Sequence, residues 1–133
     1  MPQLVTGGKW VFGWVLVGPQ GAVTIPPGAW DEYAFQTEDE VIFLPGSRRS
    51  GGFGLSTPRL LEQMGRPLQA RVLARGHIAD DSQVIIPPTI GFQPGDRLLA
   101  VRGSGKALGF VAAGPIYEEA LKHPWLEVFG KDR

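Results

Sequence analysis

Four basic side chains lie in or beside two glycine-containing segments of this 133-residue chain, and together they could bind an anion. The first segment, GSRRSGG, carries Arg48 and Arg49, and the second, GSGKA, carries Lys106 and directly follows Arg102. Guanidinium groups and turn amides bind phosphate or carboxylate groups. The plainer alternative is a pair of solubilising turns in which glycine only lets the backbone reverse. We predict these four residues as contacts to DNA or to another anion.

The other side chains that could do chemistry do not form a recognisable constellation. His77 and His123 have no clustered third ligand, so no metal site is predicted. Asp80 and Asp81 are more typical of a turn than of a catalytic pair. The sequence has no nucleophile–base pair, no phosphate-loop motif and no cofactor fingerprint. We therefore predict no catalytic, cofactor-binding or metal residue, and not an enzyme.

Three tryptophans have two open interpretations. Trp10, Trp14 and Trp30 could line a ligand pocket or a protein interface, whereas core packing is the usual place for aromatic side chains on a strand. Within Lys9–Val17, strand alternation puts Trp10, Phe12, Trp14 and Leu16 on one face and Val11, Val15 and Val17 on the other. Both faces are apolar, so this strand is expected to be covered on both sides.

Composition limits the partners and the compartment. Thirteen basic and thirteen acidic residues balance, so there is no global charge footprint for nucleic acid or for an anionic membrane. The longest apolar stretch, Trp10–Val17, is too short to span a bilayer, and cysteine is absent. We expect a soluble cytoplasmic protein without a membrane partner. Nineteen glycines and twelve prolines favour short strands separated by turns.

The chain repeats itself. Between Ala22–Pro27 and Gln83–Pro88, four of six residues are identical, and between Phe35–Met64 and Phe92–Leu121, without a gap, nine of thirty are identical. The identical pairs are Val23/Val84, Ile25/Ile86, Pro26/Pro87, Pro27/Pro88, Phe35/Phe92, Gln36/Gln93, Asp39/Asp96, Gly46/Gly103, Ser47/Ser104, Gly52/Gly109, Phe53/Phe110, Pro58/Pro115 and Glu62/Glu119. Many are turn-forming residues, which a repeated supersecondary unit must keep. The pattern indicates an internal duplication.

Each repeat is predicted to run strand, strand, short helix, strand, strand, helix. The predicted strands are 9–17, 22–25, 40–44, 53–56, 68–78, 83–86, 97–102 and 108–112, and the predicted helices are 28–34, 58–64, one turn at 89–91, and 115–122. We predict a single domain over 1–133, in which repeat one (about 9–64) and repeat two (about 68–123) share one core. Gly65-Arg66-Pro67 is too short a join for two free domains. The apolar tail, 124–133, is expected to pack on the body.

The segment IIPPTIGFQPGDRLLAV resembles the AbrB/SpoVT family of small bacterial and archaeal regulators. The family pattern is a hairpin ending in Ile-Pro, a short helix, a hydrophobic residue, a Pro-Gly-Asp-like turn and a strand. In the second repeat the residues that match it are Val84, Ile86, Pro87, Phe92, Pro94, Gly95, Asp96 and Leu98. In the first repeat they are Gly21, Val23, Ile25, Pro26, Phe35 and Asp39. The resemblance covers about 15–44 and 76–101.

The resemblance implies a mainly β fold, an AbrB-like swapped-hairpin β-barrel of the cradle-loop group. In that family two copies interleave hairpins into one DNA-binding dimer, so a tandem copy implies a pseudo-dimer within one chain. The family's basic residue before the valine is replaced here by Ala22 and Gln83. Asp31 and Glu32 occupy the short helix, where carboxylates would repel phosphates. The implied DNA face is therefore atypical.

Two hypotheses of different class follow. The first is a non-catalytic AbrB-like transcriptional regulator that binds duplex DNA weakly through Arg48, Arg49, Arg102 and Lys106. The second is a protein-interaction or small-ligand-binding module that has lost DNA binding. No cofactor is expected, and the pseudo-dimer is open to further self-association. A basic groove would favour DNA, and an acidic or apolar cradle would favour the second hypothesis.

Overall fold

The apolar runs bounded by glycine and proline form strands, and the predicted mainly β class is confirmed. The computed structural model describes residues 2–4, 9–46, 49–63, 71–103 and 107–130. Its strands are β1 (Val11–Leu16), β2 (Ala22–Thr24), β3 (Glu40–Pro45), β4 (Phe53–Ser56), β5 (Ala74–His77), β6 (Gln83–Ile85), β7 (Arg97–Arg102), β8 (Leu108–Val111) and β9 (Val128–Phe129). Its α-helices are α1 (Pro27–Glu32), α2 (Pro58–Leu61) and α3 (Pro115–Ala120). Within the described ranges, no helix is long and apolar enough to cross a membrane.

Local signals in the sequence set several element boundaries. Thr57 caps α2 as predicted, because its Oγ1 accepts a hydrogen bond from the Leu60 amide at 3.3 Å. In the predicted type II turn, Gly95 has a φ of 95° and the Asp96 amide bonds the Gln93 carbonyl at 3.0 Å. Of the long strand predicted over 68–78, residues 68–70 lie outside the described residues, and within the described part β5 covers only Ala74–His77. The predicted join, residues 65–67, lies outside the described residues.

Strands from the two repeats interleave in the larger sheet, with a neighbouring pair from each repeat at its centre. Its order is β5-β3-β4-β8-β7-β1-β9, and β2 and β6 form a separate two-stranded ribbon. The first strand of each repeat pairs with the other repeat, since β1 pairs with β7 and β5 pairs with β3. The ribbon and the central β4–β8 pair also join the two repeats.

The strand register follows an approximate twofold relation. Equivalent residues of the repeat pair with each other at Val23–Val84 and at Phe53–Phe110, which is what an axis passing between antiparallel strands produces. The rings of the second pair stack with centroids 4.9 Å apart. Away from the axis, Trp14 pairs with Leu99, and the equivalent positions Arg75 and Ile42 also pair with each other.

The sheet has an inner face, covered by the β2–β6 ribbon and α1, and an outer face, covered by α2 and α3. Alternation along β7 illustrates this, since Leu98 and Ala100 belong to the cluster that contains the ribbon residues Val23 and Val84. Leu99 instead joins the outer cluster, which also contains residues of α3 and of the tail. A smaller outer cluster lies against α2 and contains Ile42, Leu44, Leu61 and Ala107.

Two sequence-based expectations need correction. The described strand pairs do not close a barrel, because β5 and β9 remain as edges and the ribbon pairs only with itself. The Pro-Pro steps after β2 and β6 lack amide donors and so end both ribbon strands. The predicted common face of Trp10, Phe12 and Trp14 is also wrong. The register shifts between Val11 and Gly13, so that Phe12 packs on the inner cluster and Trp14 in the outer one.

Candidate functional site

Paired glycines leave a depression on the outer face of the sheet. In β4 and β8, Phe53, Leu55, Leu108 and Phe110 belong to the inner cluster. The residue between the members of each pair therefore points outward, and at both places it is glycine. Gly54 and Gly109 are direct partners across the two strands. These two central positions thus carry no side chain, which leaves space on the outer face beside the start of α3.

This space is a cavity of about 430 Å³, which we call the outer-face cavity. Its volume lies within the range of small-ligand sites, roughly 300–1,000 Å³. Several lining residues are equivalent across the repeat, namely Leu44/Val101, Gly46/Gly103, Phe53/Phe110 and Gly54/Val111. The cavity therefore lies close to the approximate twofold axis, between the β3–β4 and β7–β8 hairpins.

The cavity combines apolar walls with a basic rim. Leu44, Val101, Val111 and Ile116 are among the apolar lining residues. The charged residues that line it, within the described part of the chain, are Lys9 and Arg49, and no carboxylate is among them. Lys9 and Arg49 are both exposed to solvent. The lining can thus accept an apolar body and an anionic group together.

The backbone around Arg49 is held in place. The Ser50 carbonyl accepts hydrogen bonds from the amides of Ala112 and Ala113, both at 2.8 Å. A Cβ on Gly114 would lie 2.8 Å from the Arg49 carbonyl oxygen, so glycine permits this close approach. These contacts fix the first hairpin against the segment that leads into α3, and they place Arg49 on the cavity.

Lys9 reaches the cavity from the start of β1. The next residue, Trp10, accepts a hydrogen bond through its carbonyl from the Arg102 amide at 2.8 Å, and Val11 donates to the Pro2 carbonyl at the same distance. The first bond attaches the entry of β1 to the end of β7, beside the second hairpin, and the second attaches it to the N-terminal segment. Sequence reasoning missed Lys9 because it is remote in the chain from the hairpin arginines.

Arg102 has a different role from Arg49. Its Nη2 donates to Glu32 Oε1 at 2.7 Å, and its Nε faces Oε2 of the same carboxylate. This hydrogen bond raises the pKa of Arg102 above its ordinary value. The acidic residue noted on the short helix therefore pairs with one of the predicted anion contacts. Arg48 and Lys106 lie outside the described residues.

Tyr33 lies just after α1 and is a structural group. Its hydroxyl donates to the Ala107 carbonyl at 3.1 Å, which ties α1 to the base of the second hairpin. Burial is the main cause that raises its pKa to about 12, and the neighbouring Glu32 carboxylate adds to the effect. Tyr33 thus stays protonated at neutral pH as a hydrogen-bond donor.

The remaining candidates are not brought together. His123 Nε2 lies 3.0 Å from Glu119 Oε2, whereas His77 pairs in register with Glu40 at the β5 edge. The described residues contain no group of three or more potential metal ligands. Trp14 is buried, as the core interpretation expected, while Trp10 is 39% exposed.

Comparisons with known proteins assign neither a family nor a function to this chain. No family profile and no curated protein matches the chain. Among solved structures, the chain is similar to the solution structure of PHS018 from Pyrococcus horikoshii, with 16% sequence identity. The similarity covers 79% of this chain and 96% of that chain, and the TM-score is 0.36. A TM-score this low assigns neither a fold family nor a function.

Proposed function

We propose that the chain is a non-catalytic binding module of the AbrB-like swapped-hairpin type, and that it binds a small ligand in the outer-face cavity. The exchange of first strands between repeats, β1 onto β7 and β5 onto β3, supports the swapped-hairpin assignment. The single observation that carries the function is the cavity of about 430 Å³ over the glycine pair. An apolar cradle is the feature expected of a module that has lost DNA binding.

Glycine at position 54 supports a ligand site because this position could carry a side chain at modest steric cost, whereas a Cβ on Gly109 would lie 3.0 Å from Val101 Cγ2. A Cβ on Gly54 would meet the Cβ atoms of Ala107 and Leu44 at 3.6 and 3.7 Å, which is ordinary contact. Strand interiors favour β-branched residues over glycine, so glycine at this position weakens the strand. No close approach of another backbone segment requires glycine at position 54. The glycine leaves the cavity open and makes the strand less stable.

The test fills the cavity from its floor. Gly54→Val places a branched side chain in the open space, and Gly76→Val is the matched control on β5, where a Cβ would meet Phe43 and Val41 atoms at 3.5 and 3.7 Å. Binding of 1-octanol is followed by calorimetry and by amide shifts of Gly54 and Gly109. We expect Gly54→Val to abolish binding and Gly76→Val to keep it. Equal binding by both variants would place the ligand elsewhere.

Duplex DNA is the alternative partner. The ion pair of Arg102 with Glu32 makes DNA binding less favourable. Four phosphate contacts would give a log–log salt slope of about −3.6, at roughly −0.9 per contact. With Arg102 paired to Glu32, three contacts would give about −2.7. We expect no duplex binding by fluorescence anisotropy at 50 mM salt or above. Measurable binding that Arg48→Gln/Arg49→Gln weakens would favour the regulator instead.

A further inference from the structure

We infer that the ligand of the outer-face cavity is a small amphipathic carboxylate, with its apolar body over the glycine pair and its charged group at Lys9 and Arg49. This inference rests on the function proposed above and adds the chemical class of the ligand. It starts from the lining, in which the charged members among the described residues are both cationic.

Neither cation of the cavity has a carboxylate partner among the described residues, whereas several other basic residues of the described chain do. Arg75 pairs with Glu40, Arg102 with Glu32, and Lys122 with Glu119. The ion pairs between described residues include neither Lys9 nor Arg49. The protein therefore offers two positive charges beside an apolar cavity without neutralising them through a described carboxylate.

The two cations also come from separate elements that the backbone fixes. Lys9 is placed by the bond between the Trp10 carbonyl and the Arg102 amide of β7, and Arg49 by the bonds of the Ser50 carbonyl to the amides of residues 112 and 113. An anionic group held between them would contact both elements at once. A guanidinium group offers two parallel donors that match a carboxylate, and an ammonium group adds a point charge.

The apolar walls decide between kinds of anion. A bare phosphate or sulfate would leave the walls formed by Leu44, Val101, Val111 and Ile116 unused. A neutral apolar molecule would leave the two cations unused. A molecule with a hydrocarbon or aromatic body and one carboxylate uses both parts of the lining. Exposed charge contacts are individually weak, so the preference over a neutral analogue is expected to be about tenfold.

The experiment compares octanoate with 1-octanol by calorimetry at 50 mM salt. The test variant is Lys9→Gln/Arg49→Gln. The matched control is Arg75→Gln/Lys122→Gln, which removes two exposed cations outside the cavity and changes net charge by the same amount. We expect wild type and control to bind octanoate about tenfold more tightly than octanol, and the test variant to bind the two equally. The wild-type preference should shrink at 500 mM salt.

The outcomes separate the two proposals. Equal binding of octanoate and octanol by wild type, both lost in Gly54→Val, would overturn the carboxylate class and keep the cavity as the site. A preference that survives Lys9→Gln/Arg49→Gln would overturn the assignment of these cations. Binding of neither probe to folded wild type would overturn the small-ligand function and this inference with it.

Discussion

Two positions in the sheet that are equivalent in the repeat make different side-chain contacts. In one repeat-related pair, the Arg97 guanidinium lies 4.5 Å from the ring centroid of Trp14. At the equivalent positions of the other half, Arg75 Nη1 lies 3.1 Å from Glu40 Oε2. The backbone register is the same, yet one place uses a cation–π contact and the other an exposed ion pair. The register therefore does not depend on the chemistry of these side chains.

The difference follows from what covers each half of the outer face. Around Trp14, α3 and the tail form a cover, with the Tyr117 ring edge-on at 5.1 Å and Leu126 buried. Around Arg75 the side chain is 56% exposed. Where α3 and the tail cover the sheet, an aromatic residue is favourable because its ring is removed from water. At the open edge of the sheet, a charged residue is favourable.

The largest expected effect is at the covered place. Trp14→Ala should lower the free energy of unfolding by about 3–5 kcal/mol, because it leaves a cavity and removes the Tyr117 and Arg97 contacts. Arg75→Ala, its equivalent, should cost about 0–1 kcal/mol, since it breaks an exposed ion pair. Chemical denaturation of both variants measures the contrast. Similar losses would mean that the two places are equally buried in solution.

The second prediction concerns why the tail pairs with β1 and not with β5. Gly13 has a φ of 147°, and a Cβ there would lie 2.7 Å from the Glu127 carbonyl oxygen and 2.9 Å from the Phe129 ring. The equivalent residue on β5 is Ala74, which already has a Cβ. Gly13→Ala should cost about 1–3 kcal/mol through backbone strain and should release β9. Ala74→Gly should leave β9 in place.

Hydrogen exchange decides this second prediction. The Trp14 amide donates to the Glu127 carbonyl at 2.8 Å, so its protection reports the attachment of the tail. We expect that protection to fall in Gly13→Ala and to stay in Ala74→Gly. Retained protection in Gly13→Ala would show that another contact, such as buried Leu126, holds the tail.

Much of the secondary structure could be predicted from the sequence because its signals are local. The strands at Phe53–Ser56 and Arg97–Arg102 have the predicted bounds, and proline at the first turn marks α2 and α3. The bulge near Gly13 could not be predicted, since it belongs to the pairing of β1 with β7, a strand far away in the chain. It reversed the face on which Trp14 lies.

The candidate site was only partly readable. Arg49 was identified from its glycine-rich surroundings, but Lys9 was not, because only the pairing of β1 with β7 brings it near. Glycine within strand patterns, as in Phe53-Gly54-Leu55, was a signal that could have found the cavity floor. The Arg102–Glu32 pair spans both repeats, and no local pattern predicts such a partner.

A third prediction uses a residue with no counterpart in the second repeat, where the short helix is reduced to a turn. The folded state holds the pKa of Tyr33 at about 12, whereas an unfolded tyrosine titrates near 10. Its stabilising effect is therefore complete below about pH 10 and is lost as pH rises towards 12. Tyr33→Phe should cost about 1 kcal/mol at pH 8, through the lost bond to Ala107.

Thermal melting at pH 8 and pH 11 tests this third prediction. The difference in Tm between wild type and Tyr33→Phe should narrow at pH 11, because only wild type must then keep the Tyr33 proton that its unfolded state loses. Tyr117 is present in both proteins and cancels in the difference. A constant difference would mean that the Tyr33 hydroxyl titrates as it does in the unfolded chain.

The smallest expected effect compares two glutamates that the repeat conserves in type but not in surroundings. On α3, Glu119 contacts His123 at 3.0 Å and Lys122 at 3.7 Å, and the hydrogen bond with His123 is the main cause that lowers the pKa of Glu119. Glu62, its equivalent after α2, makes no ion pair with another described residue. A lowered pKa adds stability above the ordinary carboxyl range that is lost as pH falls through the folded value. Glu119→Gln should therefore lower Tm by a degree or so at pH 7, and this loss should shrink as pH falls below the ordinary carboxyl range, while Glu62→Gln should show no such pH dependence. Parallel pH profiles for the two variants would show that the His123 contact does not persist in solution.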